Sequence, residues 1–525
     1  MIKEILNIKS IIKFCAIFLG IYLLSFLGYV FPILNHLIFL AIIVTTGYLS
    51  YRKLDYGVYI LLIELILGVR GYLFTFNIFG FALSLRIALF MVIFLIWFFK
   101  PRQQKFKFVS TKYFPYYLIF VLVLSLGLIL GVVYGNKITN IFFDFNGYLF
   151  FGLAFIFFDA IDKKKLKNIL QIIIVGSLAV SLFSLYCLTE FTIVHQESRP
   201  DMAEAISSEL SIEGEEKEGA TISHSTTAKN ELLEYGFMRD FENKKPPIYR
   251  WVTDTGIGQI SYLAGPFFRF FSAGQIFLLV GLGILLIYII RTKATKNVYY
   301  ISFVLISIYA LTILLGFSRS LWLGLMGMVI FMLFVIPWKK SVRIILYGIG
   351  IISITIIIAG TLLPSFYDLV YERVDSIVHP KTEEAGQNRF NLIDPALNKI
   401  AEHPILGSGF GTTIEYESVV PEKYGTLRVF AFEWSYLDTI TEIGVVGLFI
   451  YLILIFKVFK DGLKNKLYEA DKILIIGLLT GLFGIIVANI ATPYLNHPMG
   501  IGLIITIMLF THILRNNYVK KKFQS

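Results

Sequence analysis

The sequence predicts an all-α polytopic membrane protein of about 12–14 transmembrane helices with two large extracytoplasmic loops, and three observations predict it. First, the 525 residues are 57% hydrophobic and only 16% charged, with mean hydropathy +0.74, whereas soluble domains carry roughly 25% charged residues. Second, apolar runs of about 15 to 24 residues recur almost end to end, each suited to a hydrocarbon core of roughly 30 Å. Third, the basic residues behind the net charge of +11 cluster in short segments between those runs. That placement is a topology signal rather than a nucleic-acid surface, so no nucleic-acid partner is expected. Length alone would suggest roughly three or four soluble domains, but the recurrence of spans makes one membrane domain the simpler organisation.

Residues 1–188 carry the N-terminal spans, with runs at Ile11–Leu34, His36–Tyr51, Gly57–Val69, Ile78–Phe99, Phe114–Tyr134, Ile141–Ile161 and Ile169–Leu188. The first run is longer than a signal-peptide core and no A-x-A-like site follows, so it reads as an uncleaved span. Residues 189–270 form the first extracytoplasmic loop. Residues 271–363 return to the membrane with runs at Ser272–Ile290, Val298–Gly316, Leu321–Pro337 and Ile344–Leu363. Residues 364–433 form the second loop. Residues 434–525 hold Trp434–Phe459, Ile473–Ala491, Met499–Leu514 and a basic cytoplasmic tail. With both termini cytoplasmic, the tails and short inner loops hold about 29 Lys and Arg against about 3 in the short outer loops, which satisfies the positive-inside rule. Cys15 and Cys187 then lie near opposite faces, and no disulfide between them is expected.

The first loop contains "DMAEAISSELSIEGEEKEGATISHSTTAKNE", acidic and poor in aromatics, so it is expected to be solvated and partly disordered. Its end, "KKPPIYRWVTDTGIGQISYLAGPFFRFFSAGQ", is aromatic and glycine-rich and reads as a folded interfacial segment. In the second loop, "FYDLVYERVDSIV" and "NRFNLIDPALNKIAEHP" read as two amphipathic helices, the latter with Phe390, Ile393, Leu397 and Ile400 on one face. The following "ILGSGFGT" is a glycine-rich turn at Gly407, Gly409 and Gly411. Such a turn either presents backbone N–H groups to an anion or is a plain loop.

Arg319, in "GFSRSLWLG", falls at the outer boundary between the ninth and tenth spans. A guanidinium there needs water or an anion, because it is never deprotonated. Arg269 closes the first outer loop and Arg389 opens a helix in the second. Each alone reads equally as an interfacial anchor or the partner of a carboxylate; together they suit bidentate binding of phosphate oxygens. Within the membrane, Glu64 and Arg86 lie at similar depth on adjacent spans and read as a structural ion pair. Asp144, Asp438 and Glu442 are further polar positions without an assigned purpose.

The succession "GFSRSLWLGLMGMVIF", "NRFNLIDPALNKIAEHPILGSGFGT" and "EWSYLDTITEIGVVGLF" resembles the O-antigen ligase and O-antigen polymerase family of bacterial surface-polysaccharide enzymes. The likeness covers the region from near Arg269 to Gly447. It implies an integral-membrane glycosyltransferase (GT-C-like) fold acting, without metal or other cofactor, on undecaprenyl-diphosphate-linked glycans among membrane lipids at the outer face of the bacterial cytoplasmic membrane. It also implies a flippase and a chain-length regulator as partners. By position it assigns catalytic roles to Arg319, Arg389 and Glu433 and substrate binding to Arg269, Ser318, His403 and Gly409. Ligases of the family carry "HNxxL" where this chain reads "FEWSYL", so Glu433 stands at the position of the proposed histidine base. A glutamate does the same work if partial burial raises its pKa; the other reading is a solvated interfacial carboxylate or a salt-bridge partner of one of the arginines. His403, at a helix end, reads either as a base or as a capping and packing residue. The expected activity is polymerisation of lipid-linked repeat units for O-antigen, capsule or exopolysaccharide. Ligation to lipid A core or another acceptor, and a lipid-linked oligosaccharide flippase, are the alternatives.

Overall fold

A computed structural model describes residues 2–78, 81–101, 105–192, 246–264, 267–337, 384–419, 424–464 and 467–524, with isolated positions between 339 and 379. The acidic part of the first loop lies outside the described residues. So, but for isolated positions, do the run Ile344–Leu363 and the segment "FYDLVYERVDSIV". Every other apolar run falls on a helix or a helix pair, except that Ile78–Phe99 begins in a β-hairpin and is helical only from Leu85.

The chain begins with a short α1 (Ile2–Ile5) and the antiparallel α2 (Ile8–Val30) and α3 (Pro32–Arg52). Next come α4 (Leu54–Leu67), the hairpin β1 (Thr75–Ile78) and β2 (Phe81–Ser84), and α5 (Leu85–Phe99). A long α6 (Phe114–Val133), a bent pair of α7 (Ile138–Phe145) and α8 (Leu153–Ala160), and α9 (Leu166–Thr192) complete the first half. The second half opens with α10 (Pro247–Asp254) and the hairpin β3 (Gln259–Ala264) and β4 (Phe267–Phe271). Then follow α11 (Ile276–Arg291), α12 (Lys296–Leu315) and α13 (Arg319–Val335). A small cap comprises α14 (Glu384–Asn391), α15 (Ile393–Glu402), β5 (Ile414–Ser418) and β6 (Gly425–Val429), ahead of α16 (Ser435–Gly462), α17 (Glu469–Ala488) and α18 (Pro498–Gln524).

Among the described residues nine helices are long and apolar enough to cross a membrane, and the bent α7–α8 pair makes a tenth if it counts as one span. Helices α5 and α13 are apolar but shorter. The chain is therefore a multi-pass membrane protein, and its described residues are all-α apart from three two-stranded antiparallel hairpins that hydropathy does not reveal. Each hairpin follows a helix end and pairs its backbone locally, which polar groups at a membrane boundary require.

Helix α17 is the spine of the second half, packing on both α11 and α13. Its Gly477, Gly481 and Gly484 let backbones meet. A Cβ at Gly481 would lie 2.5 Å from the Val280 Cα, and one at Gly484 would lie 2.8 Å from the Gly324 carbonyl oxygen. In lipid such close packing replaces the hydrophobic drive available in water. Helix α9 passes through the middle of the bundle, with Ser177 donating to the Phe277 carbonyl (2.9 Å) and Tyr309 donating to the Ile174 carbonyl (2.6 Å).

The ends of the bundle differ. One end carries lysine-rich connections whose carboxylates are paired: Asp461 is 2% exposed and faces Arg515 (2.9 Å), Lys464 (3.0 Å) and Lys457 (3.4 Å). The other end carries all three hairpins. There the Ser25 hydroxyl donates to the Leu73 carbonyl (2.6 Å), the Trp251 indole donates to Ser25 (3.1 Å), and Tyr29 donates to Asp254 (2.6 Å). The expected Glu64–Arg86 pair is present just beneath this end. Arg86 Nε and Nη2 reach the two carboxylate oxygens at 2.8 and 3.1 Å, and Nη1 donates to the Val69 carbonyl at 2.5 Å. Both cysteines are free and buried.

Candidate functional site

The site is organised by a break in α16. Gly444 has φ 70° and ψ 176°, which stops the helix for one residue. Such a break orphans the carbonyls of Thr441 and Glu442 and the amides of Val445 and Val446, which would otherwise pair with each other. The segment Pro404–Gly409 takes all four. Ser408 N donates to the Thr441 carbonyl (2.7 Å) and Gly409 N to that of Glu442 (3.0 Å). Val445 N donates to the Pro404 carbonyl (3.0 Å) and Val446 N to that of Ile405 (3.3 Å). The glycine-rich turn and the "EIGVVG" motif are thus two halves of one backbone exchange.

Helices α6 and α7 hold the other side of the turn. Phe410 is fully buried against Phe145 and Tyr148, and its amide donates to the Gly127 carbonyl (3.2 Å). The Asn136 amide donates to the carbonyls of Ser408 (3.2 Å) and Phe410 (2.9 Å), and Asp144 accepts from Gly411 N (2.7 Å). This corrects the expectation for Gly409. Its amide donates to the Glu442 carbonyl and its position is buried, so that N–H is engaged within the chain, and the Gly411 amide likewise meets the Asp144 carboxyl of the same chain. Asp438 and Glu442, one helical turn apart on α16, are each 3% exposed beside this turn.

The cap α14–α15–β5–β6 closes over a small core of Leu392, Ala396, Ile414 and Phe432, onto which Trp434 packs. Its register is fixed by Asn388, which donates to Ser418 Oγ (3.0 Å) and accepts from Val419 N (2.8 Å). Here the predicted helical face is corrected. The helix breaks at Leu392, the buried stripe runs through Leu392 and Ala396, and Leu397 is 47% exposed. Periodicity marks an apolar face without saying what covers it.

Arg389, at the end of α14, forms an ion pair through Nε with Glu433, and its carbonyl accepts from the Trp434 indole at 2.7 Å. The Glu433 side chain is 55% exposed and held in this salt bridge. Arg319 opens α13 directly after Ser318, and Ser318 Oγ lies 3.1 Å from Ser320 Oγ, itself 3.2 Å from the Tyr494 hydroxyl. Arg269 lies mid-strand on β4, its guanidinium 5.9 Å from the Phe271 ring centre, while Phe268 and Phe270 are buried. Tyr494 links these groups. Burial pushes its hydroxyl up to about 12 against the opposing positive charge of Arg269 and Arg389, so both guanidiniums act on it. Asn489 fixes the tyrosine by accepting from Tyr494 N and Leu495 N (both 2.8 Å) and donating to Ser435 (2.9 Å). His403 stands apart, stacked on Tyr134 with ring centres 4.6 Å apart, in the packing role that its helix-end position suggested.

Arg269 and Arg389 therefore lie within electrostatic reach of Tyr494, Ser318 is linked to it through Ser320, and Glu433 is paired with Arg389, whereas His403 is stacked on Tyr134 and Gly409 is taken up by the α16 break. Sequence reading missed Tyr494 and Asn489. Their signal was the polar, twice proline-punctuated "NIATPYLNHP" between two spans. It also missed Asn136 and Asp144 as holders of the glycine turn. Among the described residues no group of three or more His, Cys, Asp or Glu is arranged to hold a metal ion.

Comparison with known proteins gives one finding at this site. No curated protein matches the chain. The family model described as "O-Antigen ligase" matches residues 301–452, a stretch that contains Arg319, Arg389, the glycine turn, Glu433 and the α16 break. Over residues 301–452 the chain is thus similar to the O-antigen ligase family, which supports the likeness read from its motifs.

Proposed function

We propose that the chain is a polymerase of undecaprenyl-diphosphate-linked repeat units, working at the outer face of the bacterial cytoplasmic membrane with both termini inside. The observation that carries this reading is the Arg389–Glu433 pair. It joins an arginine suited to diphosphate to a carboxylate at the position where ligases of the family are expected to carry a histidine. In the free enzyme the guanidinium keeps Glu433 occupied. A lipid diphosphate arriving at Arg389 competes for the same fork, because phosphate oxygens match it bidentately. Glu433 is then released beside the bound sugar as the general base.

In the reaction, an acceptor hydroxyl oxygen forms a bond to the anomeric carbon of the donor glycan while the bond from that carbon to the diphosphate oxygen breaks. The hydroxyl proton passes to Glu433, and undecaprenyl diphosphate leaves with the electron pair. Arg269, Arg319 and Arg389 stabilise the charge that develops on the leaving diphosphate as preorganised electrostatics. The basic connections at the opposite end of the bundle support cytoplasmic termini.

The ligase reading is favoured by the description of the matching family model. Incubation of the purified protein in lipid with an undecaprenyl-diphosphate-linked repeat unit separates the readings. A ladder of lengthening glycans that Glu433→Gln abolishes supports polymerase and base together. Transfer only to added lipid A core means ligase, and movement of the lipid across the bilayer without either product means a flippase.

A further inference from the structure

We propose that Arg70 heads a second anion site, for a phosphate or diphosphate group distinct from the one received at Arg389. The proposal takes the diphosphate role of Arg389 from that reading but does not need polymerase chemistry. It begins with a strained turn. After α4 the chain passes through Val69 at φ 48° and Gly71 at φ 91°, two left-handed residues that bracket Arg70 and make it project from the bundle. Positive φ on a β-branched residue is unfavourable and persists only where the surroundings hold it.

What holds it is the Glu64–Arg86 pair. Arg86 donates to the Val69 carbonyl at 2.5 Å, and a Cβ at Gly71 would lie 2.7 Å from the Arg86 Cβ. A second element fixes the arm itself. Gly256, at φ 65° in the turn between α10 and β3, lies directly under the Arg70 side chain, where an added Cβ would fall 2.5 Å from Cδ and 3.0 Å from Cγ. The methylene stem is thus packed while the residue as a whole stays exposed. Among the described residues the Arg70 guanidinium has no hydrogen-bonding or ion-pairing partner. A packed stem with an unengaged fork loses little side-chain entropy when an anion binds.

The position of this arm relative to the first site is set by the segment Tyr494–His497. Arg269 and Arg389 act on Tyr494. His497, whose amide donates to the Tyr494 carbonyl at 3.4 Å, is open to solvent yet hemmed in. Its imidazole is held down at about 4 by the protein round it and then by Arg86 and Arg70. Two basic groups therefore flank one short turn. Arg86 is already engaged by Glu64, which leaves Arg70 as the binding arm of the second group. A chain with two such arms suits two phosphate-bearing molecules held head to head, as donor and acceptor.

The test is binding alone, so failure of the polymerase reading would not decide it. Protein in neutral phosphatidylcholine nanodiscs is titrated with inorganic pyrophosphate and, separately, with undecaprenyl phosphate, and bound equivalents are counted by native mass spectrometry. Two equivalents are expected for the native protein. Arg70→Gln should retain one, with the lost site weakened roughly 10- to 100-fold, as expected for removal of a charge-assisted bidentate contact. Arg389→Gln should lose the other, and Arg70→Lys should restore part of the first. Uptake of both probes identifies a lipid headgroup site, and uptake of pyrophosphate alone identifies a free-anion site. Binding that Arg70→Gln leaves undiminished overturns the proposal, whereas a single equivalent that Arg70→Gln removes upholds it and speaks against the site at Arg389.

Discussion

A methyl group at Gly444 would separate the two halves of the site. The glycine sits at φ 70° and ψ 176°, a region essentially closed to residues with a Cβ, at a cost of about 1–3 kcal/mol. The added carbon would also collide with the Ile405 carbonyl oxygen. To relieve that contact, Pro404–Gly409 must withdraw from α16 and surrender the four backbone bonds that it makes there. At about 0.5–1.5 kcal/mol net for each bond, strain and lost bonding together put the docked state of Gly444→Ala about 3–9 kcal/mol below that of the native protein in stability. Hydrogen exchange with mass spectrometry, on peptides covering 404–412 and 438–447, reads this directly. Protection there should fall roughly 10²- to 10⁶-fold, since each 1.4 kcal/mol is a factor of ten. Gly135→Ala is the control: that glycine also has positive φ (75°), but nothing surrounds the new Cβ, so strain is imposed without a collision and protection at 404–412 should hardly move. Less than a tenfold change in Gly444→Ala, or an equal change in the control, would refute the coupling of turn and helix break.

Three further outcomes are expected. Arg86→Met, which leaves Glu64 charged and buried at 3–4% exposure, should cost about 3–5 kcal/mol, while the double replacement Glu64→Leu with Arg86→Met should recover most of it; thermal unfolding in detergent compares the two. Tyr494→Phe should flatten the alkaline limb of stability. The native hydroxyl stays protonated up to about 12 against 10 for an ordinary tyrosine, so its contribution is complete below pH 10 and is lost as pH rises towards 12. The difference between the two proteins across that window should reach about 3 kcal/mol; parallel curves would contradict it. In the polymer assay Glu433→Gln should lower the rate roughly 10²- to 10⁴-fold, the usual worth of a general base. Arg389→Lys, which keeps charge but not the fork, should cost roughly 10- to 100-fold, and retention of full rate by either variant would remove that residue from the mechanism.

Much of the membrane domain was legible because lipid imposes one simple rule: apolar runs long enough to cross it must become helices. The Glu64–Arg86 pair was legible for the same reason, since two charges at one depth on neighbouring spans have few alternatives. The hairpins were not, because four- to six-residue strands at a boundary leave no hydropathy signature and are fixed by partners far away in sequence, as Asn35 fixes Thr75. The arginines were visible one by one. Their meeting was not, because the residue joining two of them is Tyr494, in a nine-residue connection between α17 and α18 that hydropathy treats as a gap. The Leu397 misassignment has a related cause. An amphipathic pattern reports that one face is apolar, and the cap core happens to use the neighbouring stripe through Leu392 and Ala396.

The break in α16 also decides what the matched stretch means. A helix interrupted within a membrane protein must have its orphaned backbone groups satisfied by protein, because lipid cannot do it. Residues 301–452 supply both the break and the segment that fills it, but not the wall against which the filling segment rests. That wall is α6 and α7. A Cβ at Gly131 would lie 2.5 Å from the Phe410 carbonyl oxygen, and one at Gly411 would lie 2.6 Å from Ile141 N, while Asn136 and Asp144 take up the turn's remaining polar groups. The turn therefore has one conformation only when the N-terminal helices are present. The N-terminal half, which carries none of the quoted motifs, is what makes those motifs a site.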